Sequence, residues 1–466
     1  MNVRVKFLGG AQSVTGSKYL LEIDDFKLLI DCGLFQGLNV KSRNWEKFPI
    51  KASEIDAVIL THAHLDHSGY LPRLFKEGYT GPVYCTKPTG ELLELLLTDS
   101  AKLQEEELQF AKRKGYSIHK NPSALYDIFD VEKVLPALRG YYYGTLIKIA
   151  PSIKIKFSNA SHILGAAIVE IFLEGSLQKK SIVFSGDLGR YNDPLLYPPE
   201  TIRKADILFI ESTYGDRKNP VISPEDDIAD VINTAIKRKG CVLIPAFSIG
   251  RTQNVLFYIR ELYRKNKIPQ VPLYMDSPMA ISATKLYGQN YDFHKISLNE
   301  LQSSESFLQL SNSLKIINSH QASIGLNDIK SNAIIVSASG MMNGGRILHH
   351  LYNRLPRKND TLLLVGFQAE GTRGRRIADG SEAVKIFGQD VPIKCHVEKI
   401  DGLSAHADQT ELLQWLENFE KSPKYTFIVH GEEDASNTFA SIIKSQKGWN
   451  AIVPKYLESF ELFQNI

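Results

Sequence analysis

The densest group of reactive side chains is Thr61-His62-Ala63-His64-Leu65-Asp66-His67-Ser68-Gly69, directly after the apolar run Ala57–Leu60. Imidazole nitrogens and carboxylate oxygens are usual zinc ligands, and a catalytic zinc keeps one position open for water. Four ligand-type side chains within six residues crowd a single ion that must also take other ligands. Shared between two adjacent ions they fit, with His62 and His64 on one and Asp66 and His67 on the other. Two ions need more ligands, among them a bridging carboxylate. Candidates end other apolar runs: His162 in Ser161-His162-Ile163-Leu164-Gly165, Asp187 in Ser185-Gly186-Asp187-Leu188-Gly189, and His430 in Ile428-Val429-His430-Gly431. His119, His294, His320, His349, His350 and His396 stand in no ligand-like context; His349 and His350 read as partly solvated on a helix.

Such a site needs a frame that gathers distant segments. The first half is rich in short strands: Val3–Leu8, Tyr19–Ile23, Lys27–Asp31, Ala57–Thr61, then Lys154–Ser158, Ala167–Phe172, Ser181–Ser185 and Ile207–Glu211. Each carries branched apolar residues bounded by turn formers. Leucines at helical spacing predict a helix over Glu91–Lys112, with Lys112-Arg113-Lys114 as its solvated end. From Glu225 helix and strand alternate: Glu225–Lys239, Cys241–Pro245, Arg251–Arg264, Val271–Met275. That alternation predicts a parallel sheet covered by helices. Ligand-like motifs return after Lys394, so a middle domain inserted into a first one explains the order. The expected boundaries are 1–212, 213–394 and 395–466.

The bulk properties narrow the class. With 466 residues, two domains are the default. Hydrophobic residues at 43% and charged residues at 23% are those of a soluble globular chain. No apolar run approaches the roughly 18 residues of a membrane span, and Met1–Gly10 reads as a strand rather than a signal peptide. A cytoplasmic protein is expected. Cys32, Cys85, Cys241 and Cys395 form no Cys-x-x-Cys pair, so they read as reduced and mostly buried. A net charge of +3 is too weak to argue for a polyanionic partner.

The motifs resemble those of the metallo-β-lactamase superfamily, and specifically its β-CASP branch of nucleic-acid hydrolases. Asp31 in Leu29-Ile30-Asp31-Cys32-Gly33 matches the first motif, the His62–His67 cluster the second, His162 the third and Asp187 the fourth. Three branch motifs follow: Glu211 in Glu211-Ser212-Thr213-Tyr214-Gly215, His406 in Ser404-Ala405-His406-Ala407-Asp408, and His430. A histidine in the last motif is similar to the RNA-acting members. The resemblance implies an αββα sandwich interrupted by a β-CASP domain, and two zinc ions. One would be held by His62, His64 and His162, the other by Asp66, His67 and His430, with Asp187 bridging and Asp31 orienting ligands from behind. Asp66, Asp187, Glu211 and His406 are the expected catalytic set.

Two zinc ions about 3.5–4 Å apart can share a hydroxide and stabilise in-line attack on phosphorus. His406 is then the candidate acid for the leaving ribose oxygen, with Glu211 raising its pKa. Two strand-to-helix turns, Ile244–Arg251 and Val336–Arg346, combine hydroxyls, glycines and an arginine. Helix N-termini bind phosphate, and both turns resemble family segments that line the RNA cleft. Ser248, Arg251, Ser337, Ser339 and Arg346 are therefore candidate RNA contacts. Arg373 and Arg375 join them, with Phe367 suited to base stacking. The leading expectation is a ribonuclease acting on single-stranded RNA, with a homodimer as an open option. Starting at its first strand and ending about 36 residues past His430, the chain tilts towards an endonuclease over a 5′–3′ exonuclease. A thioester or lactone hydrolase on the same metal core, and a binding protein with a degenerate site, are the alternatives.

Overall fold

A computed structural model describes residues 1–37, 40–114, 123–219, 224–302, 313–366, 368, 371–400 and 402–466. His119, Phe367 and the side chains of Lys112, Arg113 and Lys114 lie outside the described residues. The chain divides into two compact units. The first comprises Met1–Asp193, Tyr197–Lys218 and His406–Ile466; the second comprises Pro194–Leu196 and Asn219–Ala405. The boundaries thus fall near 218 and 405, not at 212 and 394. The later shift has a clear cause: His396–Lys399 pairs in parallel with Thr361–Leu364, in the sheet of the second unit.

The first unit is built on two seven-stranded sheets. Val3–Gly9, Lys18–Ile23 and Phe26–Ile30 form an antiparallel meander, extended in parallel by Ala57–Ile59, Val83–Thr86 and Leu138–Tyr141. The other sheet centres on Ile207–Glu211, with Lys179–Phe184 and Tyr425–Val429 parallel on either side. Both sheets feed one core, with Val5, Phe7, Leu28 and Ile30 from one face and Val169, Phe184, Phe209 and Phe427 from the other. Phe184 stacks on Phe209 at 4.1 Å, and Phe7 reaches Phe427 at 5.2 Å. Each fully buried ring contributes about 1.5–3 kcal/mol over its exposed state.

The second unit has a six-stranded parallel sheet in the order Leu314–Ile316, Leu273–Met275, Ala333–Ser337, Cys241–Pro245, Thr361–Leu364, His396–Lys399. Its central strands read as unbroken apolar runs because both faces are covered. Val242, Ile244, Ile334 and Val336 feed one core, while Leu243, Ile335, Leu362 and Leu364 feed the other. His350, expected to be partly solvated, is 1% exposed here. Cys32, Cys85 and Cys241 are buried free thiols, and Cys395 is half-buried. Among the described residues no helix is long and apolar enough to cross a membrane.

Candidate metal centre

Register decides where the reactive side chains emerge. In the second sheet Phe184 pairs with Phe209, and Glu211 with Val429. The strands run parallel, so Asp187, Glu211 and His430 leave the sheet at the same edge. In the first sheet Ile30 pairs with Ile59, which brings Asp31 beside the turn that opens the histidine cluster. Asp31, Ser161 and His430 all have positive φ, at 57°, 64° and 46°, so the chain turns sharply where the ligands must converge. Two glycines permit the close crossings. A Cβ on Gly33 would lie 1.5 Å from Asp66 O, and one on Gly189 would lie 1.7 Å from Ser161 O.

The side chains form two groups that share one carboxylate. His64 Nδ1 lies 3.1 Å from both His62 Nε2 and His162 Nε2. Asp187 Oδ2 lies 3.5 Å from the His62 nitrogen and 3.6 Å from the His162 nitrogen. In the other group His67 Nε2 lies 3.1 Å from His430 Nε2 and 3.3 Å from Asp187 Oδ1, and Asp66 Oδ2 is 3.5 Å from His430 Nε2. Ligand atoms bound tetrahedrally to zinc at about 2.0–2.1 Å lie roughly 3.3–3.4 Å from one another. The observed separations bracket that value.

The electrostatics also fit cations. Asp187 Oδ1 is buried and receives no hydrogen bond. Burial opposes ionisation of Asp187, but His430, His67 and His62 outweigh it and hold the carboxyl well below its usual range. Burial also disfavours a charge on His67, yet Asp187 and Asp31 overcome it and push its pKa well up. Two carboxylates therefore draw positive charge to this spot, a proton or a metal. Burial, then His67, holds His62 well below its usual value, so the ring stays neutral and keeps one nitrogen lone pair to offer a cation.

Residues behind the candidate ligands fix the rings. Asp31 Oδ2 accepts from His67 Nδ1 at 2.7 Å, which turns Nε2 towards the centre. Thr61 N donates to Asp31 Oδ1 at 2.8 Å, and Thr61 Oγ1 lies 3.1 Å from His62 Nδ1. Thr213 Oγ1 lies 3.2 Å from His430 Nδ1. The sequence reading assigned neither threonine a role; the only available signal was that each stands within a motif segment, Thr61 before His62 and Thr213 two residues after Glu211.

Glu211 and His406 meet beside the two ligand-type groups. Glu211 is 0% exposed, and its carboxylate accepts from Leu188 N at 2.6 Å and Thr213 N at 3.2 Å. These bonds occupy it as an acceptor, although it lies near Asp187 and His406. His406 Nδ1 is 3.1 Å from Glu211 Oε1, and its ring is 4.5 Å from that of His162. Burial lowers the His406 pKa, but Glu211, with Asp187 and Asp66, raises it to about 9. A capping box of Asp408 and Glu411 starts the helix Gln409–Leu416 and anchors the segment.

The expected RNA contacts divide. Ser337 Oγ donates to Asp276 O at 2.9 Å, and Arg346 Nη1 donates to Asp276 Oδ1 at 2.7 Å, so both have internal partners. Arg251 is enclosed at 7% exposure. Arg373 Nη1 donates to Met342 O and Nε to Lys385 O, tying the hairpin Ala383–Pro392 in place. Ser248 and Ser339 are half-exposed, and among the described residues Arg375 pairs only with the exposed Asp379, at 2.9 Å.

The chain matches the Metallo-beta-lactamase superfamily over residues 14–218 and the Beta-Casp domain over 252–377. Residues 390–454, which include His406 and His430, match the Zn-dependent metallo-hydrolase RNA specificity domain. It is 35% identical to Ribonuclease TTHA0252 of Thermus thermophilus, over 93% of this chain and 94% of that one. It is 34% identical to Transcription termination factor FttA of Methanosarcina mazei, over 95% of this chain and 69% of that one. A crystal structure of a protein of unknown function from Enterococcus faecalis covers 99% of this chain at a TM-score of 0.53. At 14% identity that is a likeness of fold alone.

Proposed function

The chain belongs to the β-CASP branch of the metallo-β-lactamase superfamily, as a metal-dependent hydrolase acting on RNA, and from that premise we propose a two-zinc ribonuclease that cuts internal bonds of single-stranded RNA. One observation carries the reading: the two oxygens of Asp187 face two separate ligand groups. His62, His64 and His162 would hold one ion, and Asp66, His67 and His430 the other. Bound there, the pair would supply Lewis-acid activation of water and charge neutralisation at phosphorus.

The chain's own residues do the rest. Asp31 and Thr213 keep His67 and His430 turned inward. His406 gives its proton to the departing ribose oxygen, and Glu211 keeps that proton in place beforehand. Arg375, Ser248 and Ser339 remain the solvent-facing candidates for RNA contact.

Purified protein should be incubated with end-labelled linear RNA, circular RNA, single-stranded DNA and a thioester, with and without chelator. Chelator-sensitive opening of the circle supports the reading, since an exonuclease needs an end. Cleavage of the linear RNA alone would replace the internal mode with exonucleolytic action. Turnover of the thioester with neither RNA touched would return the site to a small-molecule hydrolase.

A further inference from the structure

None of this chemistry uses the stretch Lys41-Ser42-Arg43-Asn44-Trp45-Glu46-Lys47. Residues Lys41–Trp45 form a short 3-10 turn. Asn44, 4% exposed, clamps it: Oδ1 accepts from Phe35 N at 2.9 Å, and Nδ2 donates to Phe35 O at 2.8 Å. The adjoining Leu34 N donates to Leu65 O at 2.8 Å, and Cys32 N donates to His67 O at 2.7 Å. The turn is fastened to the backbone that carries Asp66 and His67.

What it presents is an ordered cation and an open ring. The Arg43 guanidinium lies 4.3 Å from the Tyr456 ring centroid and 5.5 Å from that of Phe35. Among the described residues no carboxylate pairs with it, although Glu46 lines the same pocket. Ring faces hold the plane of a guanidinium and leave its edge donors free for an oxyanion. Trp45 is 50% exposed, while Trp415 and Trp449 are at 1% and 9%.

Behind these lies Lys18, only 2% exposed. Its Nζ sits 4.3 Å from the Phe35 centroid and 4.9 Å from that of Tyr70, with Gly16 O at 3.4 Å as its hydrogen-bond acceptor. Burial lowers its pKa to about 8, so it is still mostly charged at neutral pH. An enclosed cation without a counter-charge is costly; among the described residues Lys18 and Arg43 line one pocket with no carboxylate paired to either. The exposed Lys41 and Lys47 add to the field. Buried clamp, stacked arginine and open tryptophan together are the equipment of a stacking platform for single strands, where bases meet aromatic faces and phosphates meet cations.

We infer that this turn is a subsite for the RNA strand outside the bond being cut, with a phosphate at Arg43 and a base on the Trp45 ring. The inference rests on the ribonuclease reading and adds to it the path of the strand over the first unit.

The test uses the full chain, a labelled single-stranded RNA with cleavage-resistant phosphorothioate linkages, and tryptophan emission. RNA should quench the emission, and Trp45→Phe should remove most of that response. Trp45→Ala should weaken binding about five- to a hundredfold, the range for one lost base stack. Arg43→Ala should flatten the salt dependence of log K by about 0.7, the slope of one phosphate on a single strand. Arg43→Lys should restore part of the slope. On cleavable RNA, KM should rise in Arg43→Ala far more than kcat falls. Wild-type affinity and slope in both alanine variants, or quenching that survives Trp45→Phe, would overturn the subsite. So would a change confined to self-association, which would make the turn a protein contact. If the wild-type protein neither binds nor cuts RNA, the ribonuclease reading itself fails. If the wild type cuts RNA and the variants match it, only the subsite fails.

Discussion

His406 and Glu211 meet through Nδ1 and Oε1 at 3.1 Å, although 195 residues separate them in sequence. Glu211 is fully enclosed and cannot reach a substrate directly, whereas the His406 side chain is 20% exposed and can. In the proposed reaction the carboxylate would hold charge in place and the imidazole would meet the reacting atoms.

His406→Ala should lose about 10²–10⁴-fold in rate on RNA while keeping its metal, the usual worth of a positioned general acid. An aryl phosphodiester, with its better leaving group, should be markedly less affected. Loss of metal, or equal impairment on both substrates, would make His406 a ligand or a positioning residue.

Glu211→Gln should change the pH profile in a defined direction. Burial lowers the His406 pKa and Glu211 leads the groups that raise it, to about 9 without metal. An acid works while protonated, so activity declines as pH rises through its pKa. Removing the carboxylate's charge should move the alkaline limb of kcat/KM to lower pH. Bound cations would lower both values, and the lost carboxylate charge would still set the variant's limb below the wild type's. Coincident limbs would mean that Glu211 does not hold this proton.

Much of this site was legible in the sequence because its positions are local. His62 to His67 span six residues, and Asp187, Glu211 and His430 each end an apolar run. A continuous run marks a strand buried on both faces, and parallel strands end at one edge. The fate of the second-unit loops was not legible. Ser337 and Arg346 stand among glycines, as phosphate contacts often do, yet Ser337 bonds the main-chain oxygen of Asp276 and Arg346 its carboxylate, which also holds His350 at 2.7 Å and Ser323 at 2.6 Å. A buried carboxylate recruits partners in three dimensions, and no spacing rule announced one 70 residues before Arg346.

Asp187→Ala should abolish hydrolysis and lower metal content below the two ions per chain expected of the wild type. Removing the shared carboxylate leaves two cations facing each other at short range with less charge between them. Elemental analysis after zinc-replete purification measures it. Two ions retained at near-normal activity would end the bridging assignment.

Asp31→Asn should weaken metal binding at the His67 site by about 10–100-fold. The carboxylate now accepts from His67 Nδ1, from Thr61 Oγ1 and from Thr61 N. An amide has only one accepting oxygen. If that oxygen keeps Thr61 N, its NH₂ faces His67 and drives the ring proton to Nε2, the nitrogen turned to the centre. Competition with a chelator of known affinity reads the effect, and unchanged retention of both ions would show that the tautomer is set elsewhere.

Arg346 and Arg375, grouped together by sequence, should separate by experiment. Arg346 Nη1 bonds Asp276, which is fully buried, and also donates to Ile317 O at 3.0 Å. Arg346→Ala leaves that carboxylate enclosed with His350 and Ser323 as its remaining partners. Breaking a buried pair in this way typically costs about 3–5 kcal/mol, and the two surviving donors and the 19% exposure of Arg346 bring the expectation to roughly 2–4 kcal/mol. Arg375 and Asp379 are 48% and 57% exposed, an open i,i+4 pair worth about 0.3–0.5 kcal/mol at most. Arg375→Ala should therefore barely move thermal unfolding followed by circular dichroism, while Arg346→Ala should lower it clearly. On RNA the order should reverse. Arg375→Ala should reduce affinity and the salt slope at unchanged stability, whereas the affinity of Arg346→Ala, measured well below its unfolding temperature, should stay near wild type. An Arg346→Ala protein of native stability with a flattened salt slope would restore this arginine to the RNA contacts and leave Asp276 without the role assigned to it.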